Sequence, residues 1–462
     1  MSKNSGIVVG NIVTPQGVLL GGAIVHQDGI ITKILNSTQV VDHLASNVGS
    51  SIDATGKYIL PGGIDAHVHC FSDPREGFRA ATMSAAAGGI TTIIDMPYDD
   101  GNPVNNLARV NQKISEIPGQ AYVDVALHGT VAPGSFGSEL QSMVDAGICG
   151  FKVSMFETDK NRFPRISNDE LYEILKTSRA AGVVVGVHAE DGEIIGTMIE
   201  TLVKAGQTEP IAHCLSRPPV SETVSIAAGV AIAEAAEAPF HIFHASLPES
   251  IDIVVAARER GADISVETCP HYLLFSGDDM NSLGARGKIN PPLRSKESVE
   301  ELWELLALGA VDMFTSDHAP WRLDKKSDAE NIFNNSSGAP GVQLLYPILL
   351  SEGFAKGRLS LNRVAELMAS GPANRFNLGH RKGHLAPGYD ADFVVYDPNT
   401  QWTVSAEKQH SLAGWTPYEG REMLGKIEQT FLRGVCIAAE EELRSTAEVG
   451  IFIKGVSNGS IV

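Results

Sequence analysis

Eight short apolar runs, spread over residues 64–319 of this 462-residue chain, constrain its fold more than any other feature of the sequence. The runs are rich in β-branched residues, and the stretches between them favour helices, as at 167–182, 221–237 and 295–309. Strands that alternate with helices indicate a parallel sheet with both faces covered. Eight such units predict a TIM-like (β/α)8 barrel. The runs are IDAHVH (64–69), ITTIIDMP (90–97), YVDVALHGTV (122–131), GFKVSM (150–155), VVVGVHAE (183–190), FHIFHAS (240–246), ADISVETCP (262–270) and VDMFTSDHA (311–319).

A doubly wound open sheet is the structural alternative to the barrel. That fold carries a glycine-rich phosphate-binding fingerprint after its first strand. No such fingerprint follows the first central run, IDAHVH. The sequence therefore favours the barrel.

The two ends of the chain show a different pattern. Short β-rich runs fill residues 6–60 and return between 391 and 437, broken by Gly, Pro, Asn and Asp. Neither set is large enough to form a core, so we expect both to pair into one small β-sandwich domain that brings the chain ends together. The expected division is 1–60 for the first part of this domain, 61–385 for the barrel, and 386–462 for the second part and a tail.

The balance of charged residues limits the partners that the chain can have. It carries 36 Lys and Arg against 55 Asp and Glu, a formal net charge of −19. Because an acidic surface repels phosphate groups, we expect neither nucleic acid nor a membrane as a partner. No apolar run approaches the roughly 20 residues of a membrane span, and the first residues lack a secretory pattern. With five scattered cysteines and no CxxC pair, the sequence predicts a reduced, cytoplasmic enzyme.

Side chains of the kind that bind metals stand at the ends of five of the eight runs. Two histidines two positions apart close the first run and point to the same face. The carboxyl ends of barrel strands form a single rim, on which active sites are built. We therefore expect one site from residues far apart in sequence. Its members are His67, His69, Lys152, His188, His244 and Asp317.

Each of these residues, taken alone, has an ordinary explanation. An isolated pair of histidines often serves packing, and a single histidine after an apolar run is commonly structural. A lysine at a strand end can extend to solvent, and Asp317 could cap the turn that follows it. Independent explanations of this kind do not predict that all six residues lie on one rim. The shared position therefore favours a common site.

Lys152 stands out because an ammonium group cannot bind a metal. A desolvated lysine that faces cations has a lowered pKa and can react as a free amine. Reaction with carbon dioxide would convert it to a carbamate, N6-carboxylysine, whose two oxygens can bridge two metal ions. This carbamate is a hypothesis at this stage.

Five motifs resemble the ligand motifs of the cyclic amidohydrolases, a group that includes dihydroorotases, hydantoinases, dihydropyrimidinases and allantoinases. The resemblance extends from the N-terminal β segment to GWTPYEG (414–420) and TFLRG (430–434). It implies that His67 and His69 bind one metal ion, that His188 and His244 bind the other, and that carbamylated Lys152 bridges them. It also implies that Asp317 completes the first site and acts as acid and base. The motifs are GGIDAHVH, GFKVSM, VHAED, FHAS and SDHAP.

The donor set predicts the metal and its chemistry. Imidazoles, a carboxylate and a carbamate, without thiolate, suit two zinc ions, with manganese, cobalt or iron as alternatives. A metal ion can lower the pKa of water from about 15.7 to near 7, and the resulting hydroxide would attack a ring carbonyl. Asp317 would transfer the proton to the departing ring nitrogen.

Departures from the family patterns narrow the substrate. Dihydroorotases place an arginine where this chain has Phe71, and Arg75 lies in a different register. Dihydropyrimidinases place a tyrosine where this chain has Glu157, preceded by Phe156. Four other stretches resemble allantoinases, which implies ring opening of allantoin to allantoate, although SDHAPW departs from the SDHSP form. A hydantoin or dihydropyrimidine is the alternative substrate, and dihydroorotate is less favoured. The four stretches are 76–97, 163–171, 216–222 and 267–273.

Further residues and rival functions follow from the same resemblance. Asn290 and Ser337 lie in segments that contact the ring in relatives, so we expect them, with Phe156 and Glu157, to contact substrate. Ordinary turn chemistry explains Asn290 and Ser337 equally well. A mononuclear deaminase would not need Lys152, and a non-catalytic assembly protein would lack metal ligands. The family also implies a homo-oligomer, a tetramer. Three remaining histidines are expected to support the site or the fold: His128, His271 and His318.

Overall fold

The computed structural model describes residues 5–46, 51–444 and 449–456, and its strands form two sheets of eight strands each. The strands are β1 Gly6–Thr14, β2 Gly17–Gln27, β3 Ile30–Leu35, β4 Ser51–Pro61, β5 Gly63–Val68, β6 Ile90–Asp95, β7 Asp124–Gly129, β8 Gly150–Ser154, β9 Val184–His188, β10 Phe240–Ile242, β11 Ile264–Thr268, β12 Met313–Phe314, β13 Phe393–Thr403, β14 Glu422–Leu432, β15 Val435–Ala439 and β16 Glu442–Leu443.

Helices fill most of the connections between the strands of the second sheet. Their ends follow local rules: the Asn106 side chain accepts a hydrogen bond from the Arg109 amide at the start of one helix, and Gly182 (φ 67°) ends another. The α-helices are α1 Ser37–Ser46, α2 Gly77–Ala87, α3 Leu107–Glu116, α4 Leu140–Ala146, α5 Asn168–Ala181, α6 Gly192–Lys204, α7 Ala212–Leu215, α8 Pro219–Ala236, α9 Pro248–Glu259, α10 Pro270–Leu274, α11 Met280–Leu283, α12 Lys296–Leu308, α13 Leu345–Ile348, α14 Leu361–Ala365 and α15 Gly371–Arg375, with π-helical turns at Leu349–Ala355 and Glu366–Ser370.

Strands β5 to β12 form the barrel. They pair in sequence order, all in parallel. The ring closes where the chain after β12 meets β5: the His69 amide donates to the His318 carbonyl (2.9 Å), and the His318 amide donates to the His67 carbonyl (3.3 Å). The side chains of these strands are buried, as expected of a parallel sheet covered on both faces. The predicted TIM-like barrel and its eight runs are therefore confirmed.

Two barrel strands are shorter than the runs that predicted them. β10 ends at Ile242 and β12 at Phe314, although the apolar runs continue to residues 246 and 319. The backbone leaves the extended conformation soon afterwards, with φ of 42° at His244 and 45° at Asp317. These turns end the regular pairing and carry both side chains to the carboxyl end of the barrel.

The other sheet forms the small β domain that the two chain ends were expected to build. Its strand order is β16-β15-β14-β13-β4-β1-β2-β3. The ends meet where β4 pairs with β13, with Ile59 opposite Val395. One core is shared by residues of both ends, in which the Phe393 and Phe431 rings stack at 4.5 Å. The two-ended β domain is therefore confirmed.

The predicted division of the chain at residues 60 and 386 stays a prediction. Residues 1–4, 47–50, 445–448 and 457–462, which include the last part of the predicted tail, lie outside the described residues. The described segment 449–456 contacts the barrel: the Ile453 amide donates to the Val125 carbonyl (2.8 Å). Within the described ranges, no helix combines the length and apolar character that crossing a membrane requires.

Candidate active site

The six ligand-type side chains predicted from the sequence lie together at the carboxyl end of the barrel. His67 Nε2 is 2.6 Å from Lys152 Nζ and 3.0 Å from Asp317 Oδ1. His69 Nε2 is 3.5 Å from the same Asp317 oxygen. His188 Nδ1 is 2.9 Å from His244 Nε2. The His67 and His244 rings, 5.3 Å apart, join the two groups into one cluster.

Two members of the cluster hold a backbone conformation that side chains other than glycine seldom adopt. His244 and Asp317 both have φ in the left-handed region. Such a conformation costs about 1–3 kcal/mol and persists where the surrounding structure enforces it, often at functional sites. The turn at each strand end therefore directs these side chains into the cluster.

The ring of His67 is held by a buried carboxylate below it. His67 Nδ1 lies 2.5 Å from Glu267 Oε1, and the other oxygen of Glu267 is 3.3 Å from His241 Nε2. Because Glu267 is a carboxylate, we assign the proton to His67 Nδ1. Nε2 then faces both Lys152 Nζ (2.6 Å) and Asp317 Oδ1 (3.0 Å), so an imidazole, an amine and a carboxylate meet at this point. Although burial and Lys152 oppose it, Asp317 and Glu267 raise the pKa of His67, because two carboxylates favour a positive charge on this ring.

His188 is held in a similar way from the other side of the cluster. Its Nε2 is 2.8 Å from Glu190 Oε2, an oxygen that also accepts from Arg217. Burial acts to raise the pKa of Glu190, but Arg217 and His188 lower it to about 2, so the carboxylate stays ionised. The neighbouring His244 has a buried Nδ1 with no hydrogen-bond partner in the described structure. An unpaired imidazole nitrogen in such a place fits a metal ligand.

Lys152 is the cationic member of the cluster and is almost fully buried. Its ammonium group lies against imidazole nitrogen and the Phe243 ring (4.8 Å). Among the described residues, no carboxylate oxygen lies within 4.0 Å of it. Burial lowers the pKa of Lys152 to about 8. The amine therefore has the environment that reaction with carbon dioxide requires.

A cleft of about 520 Å³ opens above the cluster. Five of the six predicted ligands line it, while His67 lies below with its side chain fully buried. The four predicted substrate contacts line the same cleft: Phe156, Glu157, Asn290 and Ser337. Asn290 Oδ1 is buried without a partner among the described residues, and the Ser337 carbonyl accepts from the Trp321 indole (2.8 Å).

The three histidines expected to support the site do not line the cleft. His128 is buried between the rings of Phe243 and Phe376. His318 accepts at Nδ1 from the Gly341 amide (3.1 Å). His271 is buried beside Tyr272.

The sequence reasoning missed the charged residues that surround the ligands. Glu267 lies inside the apolar run of β11, and Glu190 stands two positions after His188. A glutamate inside a run that must be buried was a signal for Glu267, because a buried charge needs a partner. Arg162 and Arg217 come from connecting segments, and their approach to the cleft had no local signal.

Comparison with known proteins agrees with this geometry. The pattern of the amidohydrolase family matches residues 58–436. An allantoinase from Rubrobacter xylanophilus is 36% identical over 427 residues, 92% of this chain and 93% of that protein. An L-hydantoinase from Paenarthrobacter aurescens is 32% identical over 456 residues, 98% of this chain and 97% of that protein.

A solved structure shares the complete architecture. The L-hydantoinase (dihydropyrimidinase) from Arthrobacter aurescens superposes with a TM-score of 0.92 at 32% identity, covering 97% of this chain and 99% of that one. The family match extends over most of the chain and includes every strand of the barrel. The chain belongs to the amidohydrolase family and is a hydrolase that acts on cyclic amides.

Proposed function

We propose that this protein binds two divalent metal ions and opens the ring of allantoin to give allantoate. The observation that carries the proposal is the buried Lys152, which lies among imidazoles with no carboxylate partner within 4.0 Å in the described structure. His67, His69 and Asp317 would hold one ion, and His188 and His244 the other. A carbamate on Lys152 would bridge them. Zinc suits this donor set, with manganese, cobalt or iron as alternatives.

Different residues of the chain would have different roles in the reaction. Bound divalent ions would supply activation of water and polarisation of the ring carbonyl. Asp317 would accept a proton from water and deliver it to the ring nitrogen as the carbon–nitrogen bond breaks. Glu267 and Glu190 would keep His67 and His188 oriented. The products would be a carboxylate and a free N–H group, so one water is consumed for each ring opened.

One relative and the lining of the cleft support the choice of ring. Identity of 36% to an allantoinase and the allantoinase-like stretches of the sequence favour allantoin. The aromatic wall of the cleft, which includes Phe156, Phe163 and Trp321, favours a 5-substituted hydantoin as the second candidate. Dihydroorotate is disfavoured because Phe71 packs on Phe78 (5.0 Å) and Arg75 is engaged by Asp73.

The cellular setting of the enzyme belongs to the same proposal. Ring opening of a cyclic ureide is a step of purine catabolism, which we assign to the cytoplasm. By family resemblance we infer a homo-oligomer, a tetramer, and light scattering of the purified protein tests this inference.

The ring is tested by kcat/KM of the metal-loaded enzyme for allantoin, 5-benzylhydantoin, dihydrouracil and dihydroorotate. We expect allantoin to be preferred. Preference for 5-benzylhydantoin or dihydrouracil would assign the chain to the hydantoinases or dihydropyrimidinases. Metal content separates the rival functions, because a mononuclear deaminase would hold one ion per subunit and a non-catalytic homologue none.

The carbamate is tested by native mass spectrometry of active enzyme. We expect the subunit to be heavier than the bare chain by two metal ions and one carbon dioxide, and Lys152→Met to remove the carbon dioxide. Lys160→Met provides the matched control, since Lys160 lies eight positions further along. A bare Lys152 amine in fully active enzyme would rule out the bridge.

A further inference from the structure

Arg162 lines the cleft, and the proposed reaction does not use its chemistry. It lies in the connection between β8 and α5 and is half-buried. Its Nε donates to the Tyr98 carbonyl (2.8 Å), and its Nη2 donates to Ser72 Oγ (2.6 Å). The guanidinium also lies over the Trp321 ring, 5.2 Å from its centre. Contacts with three different loops therefore hold it in one place at the cleft.

The guanidinium of Arg162 has no direct ion-pair partner in the described structure. No carboxylate oxygen lies within 4.0 Å of its guanidinium, and Nη1 has no hydrogen bond, as far as the chain is described. Lys152 also lacks a carboxylate within 4.0 Å in the described structure, but two other cations of the cleft are engaged by the protein. Arg217 pairs with Glu190, and Lys288 Nζ donates to the carbonyls of Phe333 and Asn335.

A guanidinium that is fixed at the cleft and keeps free N–H donors can bind an acceptor on a ligand. Arginine presents a rigid fork of N–H donors that matches carboxylates and other planar acceptors. The carboxylates of Asp99, Asp100 and Asp159 act on this group only from beyond 4.0 Å, so none of them occupies its free donors in the described structure. The uncommitted donors share the cleft with Asp317 and Lys152, where the ring would react.

We infer that Arg162 determines substrate specificity by binding a hydrogen-bond acceptor on the substituent of the ring. The acceptor would be the carbonyl of a ureido group or a carboxylate. Rings that carry such a substituent would then be favoured over rings with none. This inference rests on the proposed ring-opening function and names its substrate class.

The test compares three rings in three variants of the metal-loaded enzyme. The rings are allantoin, hydantoin-5-acetic acid and unsubstituted hydantoin. The variants are Arg162→Met, Arg162→Lys and the control Arg165→Met, which alters an exposed arginine on the same loop that faces Glu193 at 4.0 Å. Loss of a hydrogen bond to a charged group should lower kcat/KM about 10- to 100-fold.

We expect Arg162→Met to show this loss for allantoin and hydantoin-5-acetic acid, mainly through KM, because the substituent is not a reacting group. Turnover of unsubstituted hydantoin should change less than about twofold. Arg162→Lys should recover part of the loss for the carboxylate, and Arg165→Met should behave as wild type.

Equal losses for all three rings would overturn the inference, because they would show that Arg162 only supports the loop. Unchanged kinetics for all three would overturn it as well. In both cases wild-type turnover would leave the ring-opening function intact. Failure of the wild-type, metal-loaded enzyme to open any ring would instead overturn the proposed function itself.

Discussion

Two clusters at opposite ends of the barrel each bring three possible metal ligands close together, but their chemistry is opposite. At the carboxyl end, His67, His69 and Asp317 bring their ligand atoms within 4.8 Å of one another. At the other end, where β7 begins, Asp124, Asp390 and Asp392 do the same. By distance alone, each group could hold a metal ion.

The cluster of Asp124, Asp390 and Asp392, called the lower cluster below, is already neutralised by basic residues of the protein. Lys382 Nζ lies 2.6 Å from Asp124, 2.8 Å from Asp390 and 2.6 Å from Asp392. Arg433 also contacts Asp124. These contacts link the barrel to the small β domain. The amine of a lysine therefore occupies the place of a cation, and the lower cluster serves the fold.

The two clusters also differ in the pKa of their buried lysines. Burial lowers the pKa of Lys152 to about 8. Burial acts in the same direction on Lys382, but the three aspartates outweigh it and raise its pKa above the usual value. Lys382 is held as an ammonium ion, whereas Lys152 can become a free amine. A reactive site therefore differs from a structural ion cluster mainly in having polar atoms without a partner. The distance between the side chains distinguishes the two less well.

The largest expected difference between the clusters is the effect of an Asp→Asn substitution on kcat. Asp317→Asn should lower kcat about 10²- to 10⁴-fold, since general acid–base catalysis contributes that much, while much of the metal is retained. Asp390→Asn, the matched control, should leave kcat unchanged in folded protein. Steady-state kinetics and elemental analysis measure both effects. Substantial turnover by Asp317→Asn would assign the proton transfer to another group.

Lys382→Met should have the reverse effect, on stability instead of activity. It leaves three buried carboxylates without their shared cation, and breaking a buried pair costs about 3–5 kcal/mol. Urea unfolding of the metal-loaded protein measures this loss. Turnover at a temperature where the variant is folded should equal that of wild type. Arg381 also donates to Asp390 (2.9 Å), and a loss below about 1 kcal/mol would mean that Arg433 and Arg381 suffice for the cluster.

Glu267→Gln should weaken metal binding, and we expect this effect to be smaller than those of Asp317→Asn and Lys382→Met. Carboxylates that orient a ligand histidine typically contribute about 10- to 100-fold in metal affinity, and Glu267 holds His67 at 2.5 Å. Competition with a chromophoric chelator measures the affinity. Asp390→Asn should bind metal as wild type does. Unchanged affinity in Glu267→Gln would show that the barrel wall alone orients His67.

The smallest expected effect is on the pH dependence with which the metal-free protein regains activity. It reflects the difference between the lysines, because Lys152 can lose its proton whereas Lys382 keeps it. Carbamate formation needs the unprotonated amine, whose fraction falls about tenfold for each pH unit below the pKa. With a pKa of about 8 for Lys152, reactivation of metal-free protein by zinc and carbon dioxide should rise with pH up to about 8 and then level off. Dissolved carbon dioxide is held constant across the series. A pH-independent rate would contradict a limiting amine.

Most of what could be predicted about the fold came from local patterns in the sequence. The eight runs and the helical stretches between them are repeated locally, so the barrel followed from them without tertiary information. The candidate ligands followed too, because each stands at a strand end, and parallel strands end on one rim. The premature ends of β10 and β12 did not follow, since neither of the residues with positive φ, His244 and Asp317, is a glycine.

The sequence by itself determined the barrel, the two-ended β domain and the set of candidate ligands, because periodicity and position within a strand are local properties. Only the tertiary structure decided which charges are satisfied. Lys382 meets Asp124, 258 positions away, and Glu267 meets His67, 200 positions away. Arg162 contacts Ser72 and Trp321 but forms no ion pair within 4.0 Å in the described parts of the chain. Whether a buried charge is neutralised, and so whether it is structural or reactive, depends on contacts between segments that no local pattern brings together.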